Sequence, residues 1–409
     1  METCGIVAEF NPFHHGHREM IIKIREIFSD RVGIVAAMSA SFTQRGEPAL
    51  YDISHRVRAA LNEGVDLVIE IPVIFVLDSA ENFATAGIDL LQSSGVVRNL
   101  AYGSEDSDSP DQIKNVASFL ATETPDFKLS LQKNIRQGMG FAAARQKAVI
   151  ENIDDKKAGL LLEHSNSILA VEYEKAIIKS GKNLASHPLP LYNKNKFSAS
   201  KIRDIASKAF DGRPEEIKAK LLQTLHSYMT PQSLSELIRA HQEQKAGVFL
   251  HQFAPLLHCQ PIWRDRDALS LIQGMQGGLA DRFINHLEKL DFSLNSDNFY
   301  DWLDSIATRA FPLSRVRRAF LSAILNLHQK DTAIQYLRIL GFTKRGRTLM
   351  SYMQNCASLP IISRSADWQQ VKSKAGLLQQ KQGFIAGNIW KSRLSTSLKV
   401  EETRKIVIV

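Results

Sequence analysis

The feature that most restricts this chain is an alternation, over its first hundred residues, of short Val/Ile-rich runs with segments of helical periodicity. CGIVAEF, VGIVAAM, DLVIEIP and VRNLAYG are the runs, and helices are expected from about His15 to Phe28, Asp52 to Glu63 and Ser79 to Leu91 between them. Apolar runs this short, joined by crossover helices, read as parallel strands buried on both faces. NLASHPLPLY offers a last strand after a helical stretch from 108 to 180. The expected fold class is therefore α/β, a Rossmann-like doubly wound parallel sheet.

In such a sheet ligands bind beyond the carboxyl ends of the strands. The polar motifs fall there: NPFHHGH follows the first strand, SASFTQRGEP the second, PVIFVLDSAENF the third and GSEDSD the fourth. Four loops distant in sequence are thus expected to meet at one rim.

The chain has 409 residues, too many for one ordinary core. After DGRPEE the strand pattern gives way to helices as far as about residue 357, and the tail from SLPIISR is mixed, with short strands at PIIS and KIVIV. Three parts are expected: 1–210, 211–357 and 358–409. The net charge of +8 is lopsided, since residues 1–210 hold 24 Lys+Arg against 26 Asp+Glu and residues 211–409 hold 27 against 17. A near-neutral first part followed by a basic helical one is the footprint expected of a catalytic domain with a polyanion-binding appendage, nucleic acid foremost, with a basic surface kept for solubility as the alternative. No run approaches the roughly 20 apolar residues needed to span a bilayer, so no membrane partner is expected. METCGIVAEF has no basic segment followed by a long apolar run, which points away from a signal or transit peptide and towards the cytoplasm. Cys4, Cys259 and Cys356 are too scattered for a disulfide framework or a structural zinc site.

EFNPFHHGH, residues 9–17, is the most pointed of the motifs. His14 and His17 are three apart and share a face of the first helical turn, while Gly16 removes a side chain where a ligand must approach the backbone. A helix N-terminus after a buried strand binds anions, and imidazoles there add donors aimed at phosphate. A nucleotide is the natural ligand; a capped helix start and a zinc site are the alternatives, the latter without an HExxH pattern beside it. FSASKIR supplies a second cluster, with the hydroxyls of Ser198 and Ser200 and the cations of Lys201 and Arg203 where a helix begins.

Taken together, the two motifs resemble those of the HxGH nucleotidylyltransferase superfamily. The ordered series GIVAEFNPFHHGH, MSASFTQRGEPA, GVDLVIEIP, SAENFA, YGSED, NSILAVEY, SASKIR, RAFPLSRVRRAFL and LGFTKRGRTLM is similar to the bacterial tRNA(Met) cytidine acetate ligase family across nearly the whole chain. The resemblance implies a nucleotidylyltransferase-like ATP-binding domain over 1–210, a basic helical tRNA-binding domain over 211–357 and a mixed C-terminal segment over 358–409. It implies that ATP, with Mg²⁺, and acetate form an acetyl-adenylate with release of pyrophosphate, and that the acetyl group passes to N4 of the wobble cytidine of elongator tRNA(Met). A small-molecule adenylyltransferase, or a tRNA-binding member with reduced activity, is the competing reading.

On the same resemblance, His14, His17, Ser198, Ser200 and Arg203 are the catalytic stabilisers. The ATP-binding segment maps onto Val7, Ala8, Glu9, Phe10, Asn11, Pro12, Phe13, His14, His15, Gly16, His17, Arg18, Glu19 and Met20, with Gly103 and Asn166 further on. Gln44, Arg45 and Glu47 are rim residues expected to touch substrate. Arg309, Arg315, Arg317 and Arg318, with Lys344, Arg345 and Arg347, are expected to meet tRNA; Arg315 and Arg318, three apart, share one helical face. The chain departs from the family pattern at Ala40, at Ile53 and between His187 and Tyr192, where a guanidinium is missing.

Overall fold

The computed structural model describes residues 1–153, 156–193, 196–287, 296–328, 333–394, 396 and 399–409. The expected runs form β1 (Thr3–Ala8), β2 (Gly33–Ser39), β3 (Leu67–Ile71), β4 (Asn99–Ser104) and β5 (Ala185–Pro190), parallel in the order β5-β4-β1-β2-β3. The crossover helices are His15–Phe28, Ile53–Asn62 and Ala80–Ser93, with Ser165–Ser180 leading into β5.

Because side chains alternate across a strand, successive residues serve two separate cores. Val35 and Ala37 of β2, with Leu67, Ile69 and Ile71 of β3, pack under Ala80–Ser93 and Ser165–Ser180. Ile34, Ala36 and Met38, with Cys4, Ile6 and Ala8 of β1, pack under His15–Phe28 and Ile53–Asn62. Burial on both faces is why these runs are apolar throughout rather than alternating.

The element content beyond residue 330 differs from the expectation of helices as far as 357. LRILGF forms β6 (Leu337–Phe342), which pairs antiparallel with β3, and β7 (Ile361–Ile362) and β8 (Val407–Ile408) pair parallel with β6. The short strands at PIIS and KIVIV are present, and together the three extend the first sheet to eight strands. Their seam carries buried charges that neutralise one another. Arg338 lies 3.2 Å from Glu70 and 3.1 Å from Glu401, and Arg404 lies 2.8 Å and 2.7 Å from the same two carboxylates.

Two helical cores stand beside the sheet. Ala199–Phe210, Pro214–Leu225 and Pro231–Gln242 close over Leu50 and Tyr51. The described residues of 250–287 and 296–327 pack around Trp263, Phe283, Phe299 and Phe320, and reach Phe42, Val73 and Leu77 on the rim of the sheet. Trp390, from the helix Lys374–Lys391, donates its indole N–H to the Ala49 carbonyl at 2.8 Å. The segment after β2, residues 41–51, is therefore gripped from both helical sides. Among the described residues no helix is long and apolar enough to cross a membrane.

Candidate active site at the carboxyl ends of the strands

β1 ends at Ala8, and the chain turns through Glu9–Phe13 into the helix His15–Phe28, of which His14 is the N-cap. His14 Nδ1 accepts the Gly16 N–H at 3.1 Å, and His17 Nδ1 accepts the His14 N–H at 3.2 Å, so each imidazole satisfies an orphan donor of the first turn. A ring nitrogen that accepts a backbone N–H carries no proton, so each neutral ring holds its proton on Nε2 and offers a ligand an N–H there. The rings stack at 3.7 Å, and Phe10 and Phe13 close on His17 at 5.0 and 5.3 Å. Burial, followed by the charge of His15, pushes the His14 pKa down to about 3. Burial and the neighbouring His14 hold His17 well below the usual imidazole range. Near neutral pH the pair is uncharged and acts as donors, not cations. The zinc alternative finds no support, since among the described residues no group of three or more His, Cys, Asp or Glu is placed to hold a metal ion.

The second motif arrives against the first. Ser198 caps the helix Ala199–Phe210 by accepting the Lys201 N–H at 3.2 Å. The preceding Phe197 packs on the His15 ring at 5.3 Å and stacks with Tyr192 at 5.7 Å. Arg203 reaches from the same helix to the Asn11 carbonyl at 2.9 Å, beside the imidazole turn. Ser200 and Lys201 are exposed in the first turn, the Lys201 ammonium lying over Tyr228 at 5.4 Å. One rim thus presents two helix N-termini, two neutral imidazoles and a guanidinium, an arrangement suited to anionic oxygens.

The loop after β2 forms the next wall. Gln44 donates its N–H to Glu9 at 2.6 Å and its side-chain amide to the Asp78 carbonyl at 3.4 Å, and Arg45 donates to Ser165 Oγ at 3.1 Å. Glu47 pairs with Arg317, while Arg318 donates to the Gln44 carbonyl at 3.0 Å. Gly46 makes this docking possible: its φ is +75°, and a Cβ there would lie 2.6 Å from Arg317 Cβ and 2.7 Å from the Arg318 nitrogen. Burial raises the Glu9 pKa against the opposing pull of the Gln44 N–H and of Arg45, Arg203 and Arg56. Burial also raises Glu47, against Arg317 and Arg203.

Other expected residues take supporting places. Val7 and Ala8 are the last residues of β1; Phe10 and Phe13 are buried; Met20 packs on the same core. Asn11 bonds the Pro48 carbonyl at 3.1 Å and the Leu50 N–H at 2.8 Å, and Arg18 pairs with Glu63 at 2.5 Å. Pro12 is buried and Glu19 half-buried. Gly103 lies within β4, its missing Cβ facing the end of the Leu191 side chain at 2.7 Å. Asn166, in the first turn of Ser165–Ser180, donates to Glu105 at 3.0 Å, and the other oxygen of that carboxylate accepts the Ser167 N–H at 2.9 Å.

The arginines divide. Arg309 is exposed. Arg315 does not share an open face with Arg318, for it donates to the carbonyls of Gly274 at 3.2 Å and Gln276 at 2.5 Å and stacks on Phe311 at 5.0 Å. Arg345 bonds the Val32 carbonyl at 3.1 Å and Asp66 at 3.4 Å, at the amino ends of β2 and β3 and so at the opposite edge from the rim; Lys344 and Arg347 are exposed on its helix, Lys344–Cys356. At the departures, Ile53 is buried in the sheet core and His187 bonds Asn99 at 3.2 Å.

Sequence reasoning missed Arg56. This fully buried guanidinium donates to the carbonyls of Phe10 at 3.2 Å and Ser39 at 3.1 Å, and to those of Glu9 and Ala40, joining the ends of β1 and β2. Burial lowers its pKa to about 10, so it stays charged. A signal existed, because Arg56 interrupts the apolar stripe Ile53, Val57, Ala60 of its helix.

The chain is similar to known proteins along nearly its whole length. Residues 1–401 match the family described as HIGH Nucleotidyl Transferase. The tRNA(Met) cytidine acetate ligase of Caldanaerobacter subterraneus subsp. tengcongensis is 31% identical over 381 residues, covering 91% of this chain and 90% of that protein. The Thermotoga maritima protein of the same name is 31% identical over 396 residues, covering 92% and 90%. The crystal structure of Thermotoga maritima TmcAL bound with alpha-thio ATP superposes with a TM-score of 0.88 at 28% identity over 100% of both chains. With a two-motif rim and likeness along nearly its whole length, this chain belongs to the HIGH nucleotidyl transferase family and, within it, to the tRNA(Met) cytidine acetate ligases.

Proposed function

We propose that this protein acetylates N4 of the wobble cytidine of elongator tRNA(Met), using ATP to activate acetate as acetyl-adenylate. The observation that carries the reading is the meeting of the His14–His17 turn with the Ser198–Arg203 turn at the end of β1. Acetate is unreactive towards an amine until one of its oxygens becomes a leaving group. A carboxylate oxygen attacks the α-phosphorus, the bond to the α–β bridging oxygen breaks, and pyrophosphate leaves with the electron pair. The cytidine N4 then attacks the acetyl carbon, the C–O bond to AMP breaks, and an N4 proton is lost to solvent.

Charge builds on phosphoryl oxygens in the first step. The Nε2–H groups of His14 and His17, the Arg203 guanidinium, the hydroxyls of Ser198 and Ser200 and the two helix N-termini are the donors that stabilise it. Neutral imidazoles suit this task, because they donate without needing a proton from solvent. Residues Val7–Met20, with Gly103 and Asn166, line the nucleotide site. Mg²⁺ fits only as a companion of the triphosphate: it favours phosphate oxygens and water over a protein cage, and the described residues build no such cage. The chemistry resides in 1–210, residues 211–357 carry tRNA with Arg309 as a phosphate contact, and 358–409 bind the two parts together. Arg315 and Arg317 act on tRNA indirectly, by fixing the turn at 274–276 and the loop at Glu47. A tRNA substrate requires a cytoplasmic location.

The test is incubation with ATP, labelled acetate and unmodified tRNA(Met), followed by nuclease release. Label on cytidine N4 is expected. Pyrophosphate release without label in tRNA would favour a small-molecule adenylyltransferase, and tRNA retention without ATP turnover would favour a member with reduced activity.

A further inference from the structure

Four guanidiniums gather around Glu9: Arg45, Arg56, Arg203 and, from the helix Leu313–Ile324, Arg318. Like Arg45 and Arg203, Arg318 makes no ion pair among the described residues. Its neighbour Arg317 is ion-paired with Glu47, whereas Arg318, half-buried, donates among the described residues only to the Gln44 carbonyl. The two nearby carboxylates whose charge it feels are engaged elsewhere. Asp78 accepts from the Ser79 N–H at 2.6 Å and from Asn82 at 2.8 Å, and Glu9 accepts the Gln44 N–H. Burial lowers the Arg318 pKa to about 10, which leaves it cationic.

The guanidinium nitrogens of Arg318 that do not bond Gln44 have no carboxylate partner among the described residues, and a planar fork of this kind matches a carboxylate in a two-point contact. Position separates its task from that of Arg203. Arg203 is tied to Asn11 beside the imidazole turn, where phosphates are expected; Arg318 is held instead on the loop after β2, through Gln44. We propose that Arg318 binds the carboxylate of acetate and orients it towards the α-phosphorus, a substrate-binding task distinct from contact with the tRNA backbone. This assignment rests on the ligase reading above.

The experiment compares wild-type, Arg318→Gln and Arg318→Lys full-length enzyme in acetate-dependent ATP–pyrophosphate exchange. Glutamine keeps a neutral donor without the charge, and lysine keeps the charge but loses the fork. Loss of a charge-assisted contact predicts that Arg318→Gln raises the KM for acetate about 10- to 100-fold, with the KM for ATP and the Kd for tRNA within about twofold. Arg318→Lys is expected to fall between the two. Synthetic acetyl-adenylate, which bypasses carboxylate binding, is expected to restore acetyl transfer to tRNA by Arg318→Gln to near the wild-type rate, which a disordered loop would not allow. An unchanged acetate KM with weakened tRNA binding would overturn the assignment in favour of a phosphate contact. An equal rise in both KM values without rescue would overturn it in favour of a purely structural role. Wild-type exchange that ignores acetate would instead refute the ligase reading itself.

Discussion

Acid is expected to loosen this protein through the imidazole turn. In the folded chain His14 accepts the Gly16 N–H through Nδ1, and its pKa is pushed down to about 3. In the unfolded chain the ring returns to the ordinary value of about 6.5. Between those values the unfolded state binds the extra proton, so stability is complete above about pH 6.5 and is lost progressively as pH falls towards 3. Integrated from about pH 7.5 to about pH 5, this linkage removes about 2 kcal/mol for His14 alone, a sizeable share of the 5–15 kcal/mol typical of a folded domain. His17, also held well below its usual range, adds loss of the same sign. The assay is urea unfolding, followed by tryptophan fluorescence, at both pH values for the wild type and for His14→Asn. Asparagine is a good N-cap and can accept the same N–H, but it does not titrate. The wild type should lose about 2 kcal/mol more than the variant on acidification. Equal losses would show that His14 is not buried in its neutral form, and the reasoning about its donor Nε2–H would fall with it.

Replacing His17 by alanine should lower adenylate formation by about 10²- to 10³-fold while the tRNA Kd, measured by filter binding, stays within about twofold; retained turnover would remove this ring from the mechanism. Gly46→Ala, at φ +75° against Arg317 and Arg318, should cost about 1–3 kcal/mol in urea unfolding and raise the ATP KM through Gln44 and Glu9. Arg345→Ala breaks contacts to Val32 and Asp66 at the far edge of the sheet, so stability should fall with tRNA affinity unchanged; the reverse outcome would place tRNA there. Arg309→Ala should weaken tRNA binding uniformly and reduce the slope of log affinity against log salt by about 1.

Much of the candidate site's local structure was legible because its signals are local. The caps at His14 and Ser198 depend on a few consecutive residues, and both helices begin where the motifs place them. Arginine roles were the least legible. Arg309, Arg315, Arg317 and Arg318 look alike in sequence, yet one is exposed, one holds turn carbonyls, one is ion-paired and one has an open fork. A guanidinium takes its meaning from whichever acceptors lie within reach, and those come from residues up to 274 positions away.

By itself the sequence determined the parallel β/α alternation, the strand positions of β1 to β5 and the two phosphate-suited turns, since periodicity and capping are short-range properties. Tertiary structure alone decided that LRILGF is a strand, because a six-residue apolar run becomes one only where an open sheet edge, here that of β3, supplies its hydrogen bonds. It also decided that Arg56 ties β1 to β2 and that Gly46 lets a helical arginine reach the rim, because long-range packing sets which carbonyls a buried charge meets.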